Sequence, residues 1–152
     1  AVTHMEIRGS ALEWVGVGDA HYGLDDLSSL PGLLDDAREA REGSSTSLTT
    51  LGVTHAPYQR VLNALHNQGA EAIFAGHTHG GQVCLPGGKA LTTNCDLPTS
   101  MASGVHVWTH ATRASYLEVS AGIGTSIYAP LRLFCPPEAV LVTLVADDIG
   151  YA

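Results

Sequence analysis

The stretch that most limits what this chain can fold into runs from Thr46 to Ala75. Thr46 to Thr54 is rich in β-branched residues and leucine and reads as a strand. From Tyr58 onward Val61, Leu62, Leu65 and His66 recur at helical spacing, and Gly69 stands where that helix would stop. Ala72-Ile73-Phe74-Ala75 is then a short, wholly apolar run of the kind found in buried parallel strands. Strand, helix, strand is a βαβ unit, whose right-handed crossover carries the carboxyl ends of both strands to one sheet edge, where open α/β sheets bind ligands. His55 follows the first strand, and His77 and His79 follow the second. These histidines, distant in sequence, are expected to meet.

Around this unit the chain reads as a single α/β domain over residues 1–152, long enough to bury a real core. Met5 to Arg8 and Leu12 to Val17 alternate apolar and polar residues about Gly9-Ser10, as a hairpin would. Asp19 to Gly23 is a loop, Leu24 to Leu30 a short helical turn before Pro31, and Leu33 to Arg41 a helix broken by the Gly43-Ser44-Ser45 surface loop. Gln82 to Leu85 reads as a short strand closed by Pro86-Gly87-Gly88, and Ala90 to Ser103 as a polar loop. Val105 to Thr109, Ser115 to Ser120 and Ala139 to Val145 read as strands, with a loop over 121–126 between the last two. No repeat, low-complexity tract or linker divides the chain.

A formal charge of −8 argues against a nucleic-acid partner, because that binding neutralises phosphates with Lys and Arg. Cys84, Cys95 and Cys135 are odd in number and show no Cys-x-x-Cys spacing, so buried reduced thiols are expected rather than a disulfide framework or zinc ribbon. No apolar run approaches the roughly 20 residues of a membrane span, and no signal-peptide pattern opens the chain. The expected location is the cytoplasm, or a membrane reached through sequence outside this chain.

Phe74 to Val83 holds the chemistry: an apolar run, a glycine, two histidines two residues apart, then a glycine pair. On a strand, side chains at i and i+2 point the same way from roots roughly 7 Å apart. Two such imidazoles close on one ion with difficulty, but each can serve one of two ions about 3.5–4 Å apart, as in phosphatases and nucleases. Two divalent cations also require carboxylates.

Gly76-His77-Thr78-His79-Gly80-Gly81-Gln82, with Thr54-His55-Ala56-Pro57 upstream, resembles the C-terminal half of the calcineurin-like metallophosphoesterases, and most closely a bacterial subgroup whose last metal motif reads Gly-His-Thr-His-Gly-Gly-Gln. Ser120 to Ser126, Leu131-Arg132-Leu133 and Pro137-Glu138 resemble that subgroup's C-terminal signature. The resemblance implies one half of a four-layer αββα sandwich: a mixed sheet with flanking helices. It implies that His55 and His77 ligate one metal and His79 the other, with two divalent ions (Mn, Fe or Zn) in the full-length enzyme. The family's Gly-Asp-x-x-Asp and Gly-Asn-His-Asp/Glu motifs, which supply the bridging Asp, the Asn ligand and a catalytic His, do not occur here. No catalytic residue is therefore assigned in this chain.

The expectation is a phosphoesterase acting on small-molecule or lipid phosphoesters in a longer parent protein. This chain alone would be inactive, holding metal loosely or not at all, and without the missing N-terminal half its bare sheet face would associate with other copies. The alternative is a non-catalytic structural or interaction domain that keeps the fold. Asp19-Ala20-His21 resembles the family's first motif, yet without its companion motifs it reads as a polar turn. Gly80 and Gly81 are expected to let backbone approach a phosphate or metal-bound water. Asn94 is placed near the rim of the site, and Arg132 beside a substrate phosphate or in an ion pair. His106 and His110 flank Trp108 on a strand face with packing or surface roles, and His4 and His66 are expected in solvent.

Overall fold

Residues 1–41 and 48–145 are described by the computed structural model; Gly43 to Ser45 and the first residues of the Thr46 strand lie outside the described residues. Strands β1 (Val2–Ile7) and β2 (Ser10–Gly16) form an antiparallel hairpin with Ile7 opposite Ser10. Arg8 and Gly9 turn it with φ of 52° and 82°, the left-handed pair that matches strand twist. Helix α1 (Leu30–Glu39), β3 (Leu48–Thr54), α2 (Gln59–Asn67) and β4 (Ala72–Ala75) follow. Then come the small hairpin β5 (Cys84–Leu85) and β6 (Lys89–Ala90), and the long hairpin β7 (Gly104–His110) and β8 (Arg113–Val119).

Among the described residues the main sheet has six strands in the order β1-β2-β3-β4-β8-β7. Its middle pairings, β2 with β3, β3 with β4 and β4 with β8, are parallel, and the edge strands β1 and β7 are antiparallel, so the α/β class with a mixed sheet is as expected. Both helical crossovers step the same way along the sheet, which puts both helices on one face. There Leu34 of α1 and Val61, Leu62 and Leu65 of α2 pack with Val15, Ile73, Leu117 and Val119, each burial contributing about 2 kcal/mol. Gly52 makes room for this contact: a Cβ there would stand 3.2 Å from both Leu65 and Ile73.

Three local expectations are corrected. Leu24 to Ser29 is not helical, because Asp26 Oδ1 accepts from the Ser28 and Ser29 N–H groups and from Ser28 Oγ, satisfying that backbone locally. Helix α1 instead starts at Leu30, with Pro31 in its first turn, where a missing N–H costs nothing. Ala139 to Val145 forms no strand: among the described residues no neighbour takes its backbone groups, and Leu141 is 92% exposed.

Polar groups inside the helical layer also depart from expectation. His66 is buried rather than solvated, its Nδ1 2.7 Å from Ser115 Oγ and its Nε2 3.1 Å from His110 O. His4 pairs with Glu13 at 3.1 Å. Glu13, fully buried beside Val15, also accepts from Arg38 Nη2 at 2.7 Å and Thr50 Oγ1 at 2.9 Å. Burial alone would raise its pKa, but the hydrogen bonds from Arg38, His4 and Thr50 outweigh that and hold the carboxyl below its ordinary value.

The opposite face is apolar and, among the described residues, uncovered by a helix. Met5, Ile7, Val53, Val105, Val107 and Tyr116 stand exposed on it around Trp14 and Phe74. Trp14 Nε1 and Glu118 Oε1, both from strand positions on this face, are buried without hydrogen-bond partners. Burial, then the nearby Glu138, pushes the Glu118 carboxyl above its ordinary value. Among the described residues no helix is long and apolar enough to cross a membrane.

Candidate functional site

Because β2, β3, β4 and β8 are parallel, the segments after their carboxyl ends share one rim of the sheet. Asp19 and His21 follow β2, His55 follows β3, His77 and His79 follow β4, and the loop 120–126 follows β8. Gly76 N donates to His55 O at 3.0 Å, tying the first two histidine segments together. His77 Nδ1 then lies 3.2 Å from His55 Nε2, with the rings 5.0 Å apart at 74°. The meeting expected from the βαβ unit is present for this pair.

Its local geometry is different from the strand spacing used to anticipate it. β4 ends at Ala75, and His77, His79, Gly80, Gly81 and Gln82 all have positive φ, between 50° and 88°. The two histidines therefore sit on a tight turn. For the non-glycine residues this conformation costs on the order of 1 kcal/mol each, which surrounding bonds must offset. Thr78 Oγ1 donates to Ala102 O at 2.6 Å and accepts from Gly80 N. Gln82 Oε1 accepts from Ser126 N at 2.7 Å, and Gln82 Nε2 donates to Ala129 O.

His77 Nε2 faces Asn94 O at 3.2 Å. A carbonyl can only accept, so this contact calls for a proton on Nε2, whereas the Asn94 amide nitrogen, 3.3 Å from the same atom, can only donate and calls for a bare Nε2; with Nε2 protonated, the Nδ1 lone pair is directed at His55. Burial, followed by the charges of His21 and His55, lowers the His77 pKa and keeps the ring neutral. His79 stands apart from this pair: burial, then Arg132 and His55, lowers its pKa. Asp19 makes the polar turn, Oδ1 accepting from His21 N at 2.9 Å, while its Oδ2 is 3.8 Å from His55 Nε2. His21, set aside with that turn, stacks 4.5 Å from the His77 ring and bonds Tyr58 Oη at 3.2 Å. The Asp-x-His spacing after a strand was the signal for it.

Arg132 and the two glycines serve the protein itself. The Arg132 guanidinium donates to the carbonyls of Ala121, Gly122, Gly124, His79 and Cys135, leaving no free fork for a phosphate. A Cβ on Gly80 would meet Ala121 Cβ and Cys135 Sγ at 2.9 Å, and one on Gly81 would run into Ala90. Both are buried packing positions as well as left-handed ones. His106 bonds Ser103 O at 2.8 Å and His110 presents its carbonyl to His66. The three cysteines are free, Cys84 and Cys135 buried and Cys95 half-buried.

Two imidazole nitrogens on one tetrahedral ion, each about 2.0–2.1 Å from it, stand about 3.3 Å apart. The His55–His77 separation fits that requirement, and the contact of His77 Nε2 with Asn94 is the kind of outer contact that orients a ligating imidazole. A complete set is not assembled by these residues: among the described residues no group of three or more His, Cys, Asp or Glu side chains could hold an ion. No family model, curated protein or solved structure matches this chain.

Proposed function

We propose that this chain is the histidine-bearing part of a dinuclear metal-dependent phosphoesterase, with His55 and His77 as ligands of one divalent ion and His79 of the other. The observation that carries this reading is the 3.2 Å approach of His77 Nδ1 to His55 Nε2 on the rim shared by parallel strands. The resemblance of Gly76 to Gln82 to a metallophosphoesterase motif supplies the reaction class. The ions, Mn, Fe or Zn, would supply a hydroxide nucleophile near neutral pH and offset charge on the phosphoryl oxygens. The residues of this chain hold and orient: Asn94 holds the outer nitrogen of the His77 ring, and Arg132 braces the turn of His79 through its carbonyl.

The carboxylates of such a centre come from outside this chain, in a preceding half of the same protein whose sheet covers the apolar face. The whole is then a four-layer sandwich acting on small-molecule or lipid phosphoesters, in the cytoplasm or at a membrane reached through other sequence. The chain alone is inactive, binds metal weakly, and uses its bare face to associate with copies of itself. A second reading is a non-catalytic structural or interaction domain that keeps this fold, in which the Arg132 guanidinium is taken up by protein carbonyls rather than held for a phosphate.

Turnover of a chromogenic phosphodiester with Mn²⁺ separates the two readings. A longer protein carrying the missing motifs is expected to turn over and to lose activity at least a hundredfold on His77→Ala. Robust turnover by the 152-residue chain, or none by the longer protein under metal loading, overturns the proposal.

A further inference from the structure

Two of the three cysteines lie against each other, apart from the histidine pair. Cys84 Sγ donates to Gly80 O at 3.3 Å, and Cys135 Sγ reaches the same oxygen at 3.3 Å and His79 O at 3.1 Å. With Ala90 and Ala102 the two cysteines form a separate small core. The backbone joins the same segments: Cys84 N donates to Leu133 O at 2.9 Å, and Val83 and Leu133 form a parallel bridge. The surroundings of the two sulfurs differ. Arg132 Nη1 stands 3.6 Å from Cys135 Sγ, and Cys84 is the more deeply buried of the two. Leu131, Leu133 and Phe134 are exposed, so the segment carrying Cys135 runs along the surface, outside the main sheet.

We propose that Cys84 and Cys135 are a disulfide-forming pair, oxidised by exchange with a low-molecular-weight disulfide, whose bond ties the 131–135 segment to the turn that carries His79. Cys135, losing its proton to solvent, attacks one sulfur of the small disulfide, expelling one thiolate and forming a mixed disulfide. Cys84, losing its proton to solvent, attacks the Cys135 sulfur and expels the second thiolate. The two protein thiols together lose two protons and two electrons, and the small disulfide is reduced to two thiols. Cys95, outside this cluster, stays reduced.

The test equilibrates the chain in buffers of rising oxidised-to-reduced glutathione ratio, in one arm as the folded protein and in a second during refolding from urea, followed by alkylation and mass analysis. The second arm removes burial as an obstacle. The expected result, in either arm, is a loss of about 2 Da with one alkylated thiol and a Cys84–Cys135 cross-linked peptide. C84S and C135S should form no such bond, and C95S should behave as the unmodified chain. Three alkylated thiols in both arms at the most oxidising ratio, or a bond that involves Cys95, overturns the proposal.

Discussion

The carbonyl oxygen of Asn94 sits 3.2 Å from Nε2 of His77 and the Asn94 amide nitrogen 3.3 Å from it, so which of the two bonds the ring decides which imidazole nitrogen carries the proton. The neutral ring should be the Nε2–H tautomer, with Nδ1 as the free base. Nitrogen-15 spectra of the histidine-labelled chain above pH 7.5 should show this for His77. An Nδ1–H tautomer there would remove the lone pair on which the His55–His77 pairing with an ion depends.

Gly81 and Gly87 have nearly the same backbone angle, φ of 88° and 92°, in different surroundings. A Cβ on Gly87 meets nothing within 4 Å, while one on Gly81 is driven onto Ala90 and the Thr92 carbonyl. Gly87→Ala should therefore cost about 1 kcal/mol, from backbone strain alone, and Gly81→Ala about 2–4 kcal/mol in urea unfolding. Equal losses would show that packing around the turn yields freely.

Arg38→Met would leave the buried Glu13 carboxylate without its main partner. The expected loss is about 2–3 kcal/mol at pH 7, below that of a wholly buried pair because the Arg38 side chain is 38% exposed. Glu13 has a lowered pKa in the folded chain, so its contribution is full above the ordinary carboxylate range and is lost as pH falls through the folded value. Unfolding curves between pH 3 and 7 should show the wild-type protein losing more stability on acidification than Arg38→Met.

His66 titrates in the opposite chemical sense with the same outcome in pH. Burial lowers its pKa from the ordinary 6.5, so below that value the unfolded chain binds a proton that the folded one refuses. Its contribution is complete above about pH 6.5 and fades as pH falls toward the folded value. His66→Leu should cost about 1–3 kcal/mol at pH 7.5, through the lost bonds to Ser115 and His110, and the gap should narrow near pH 5. A gap that widens on acidification would mean that the folded protein stabilises the imidazolium.

Val107 and Tyr116 stand opposite each other in the β7–β8 register, on the sheet face without helices. Val107→Glu and Tyr116→Glu should leave the circular dichroism spectrum unchanged and shift the chain toward monomer in light scattering at high concentration. A wild-type chain that is already monomeric there would remove the association attributed to this face.

Periodicity made the sheet centre legible. The run Ala72 to Ala75 has no polar residue, and the spacing of Val61, Leu62 and Leu65 leaves one helical face to bury, so β3, α2 and β4 and the approach of His55 to His77 followed. What remained hidden depends on partners far along the chain. Glu13 looks like the polar half of a hairpin strand until Arg38, His4 and Thr50 surround it. His66 looks solvated until Ser115 and the His110 carbonyl arrive from the β7–β8 hairpin. Ala139 to Val145 has strand composition, but composition cannot supply a neighbouring backbone. The left-handed turn of His77 to Gln82 is signalled only by Gly80-Gly81, because the bonds that hold the other residues there come from Ala102, Ser126, Ala129 and Arg132.

The Arg132 side chain spans the Gly122–Gly124 loop, the His79 carbonyl and the Cys135 carbonyl. The shape of the histidine turn is thus encoded more than 50 residues downstream of the turn. A chain cut after residue 130 would retain every candidate ligand and lose the brace that sets where His79 stands. Swapping or grafting the seven-residue motif alone would transfer its letters without its geometry, so the smallest portable unit of this site extends through Cys135.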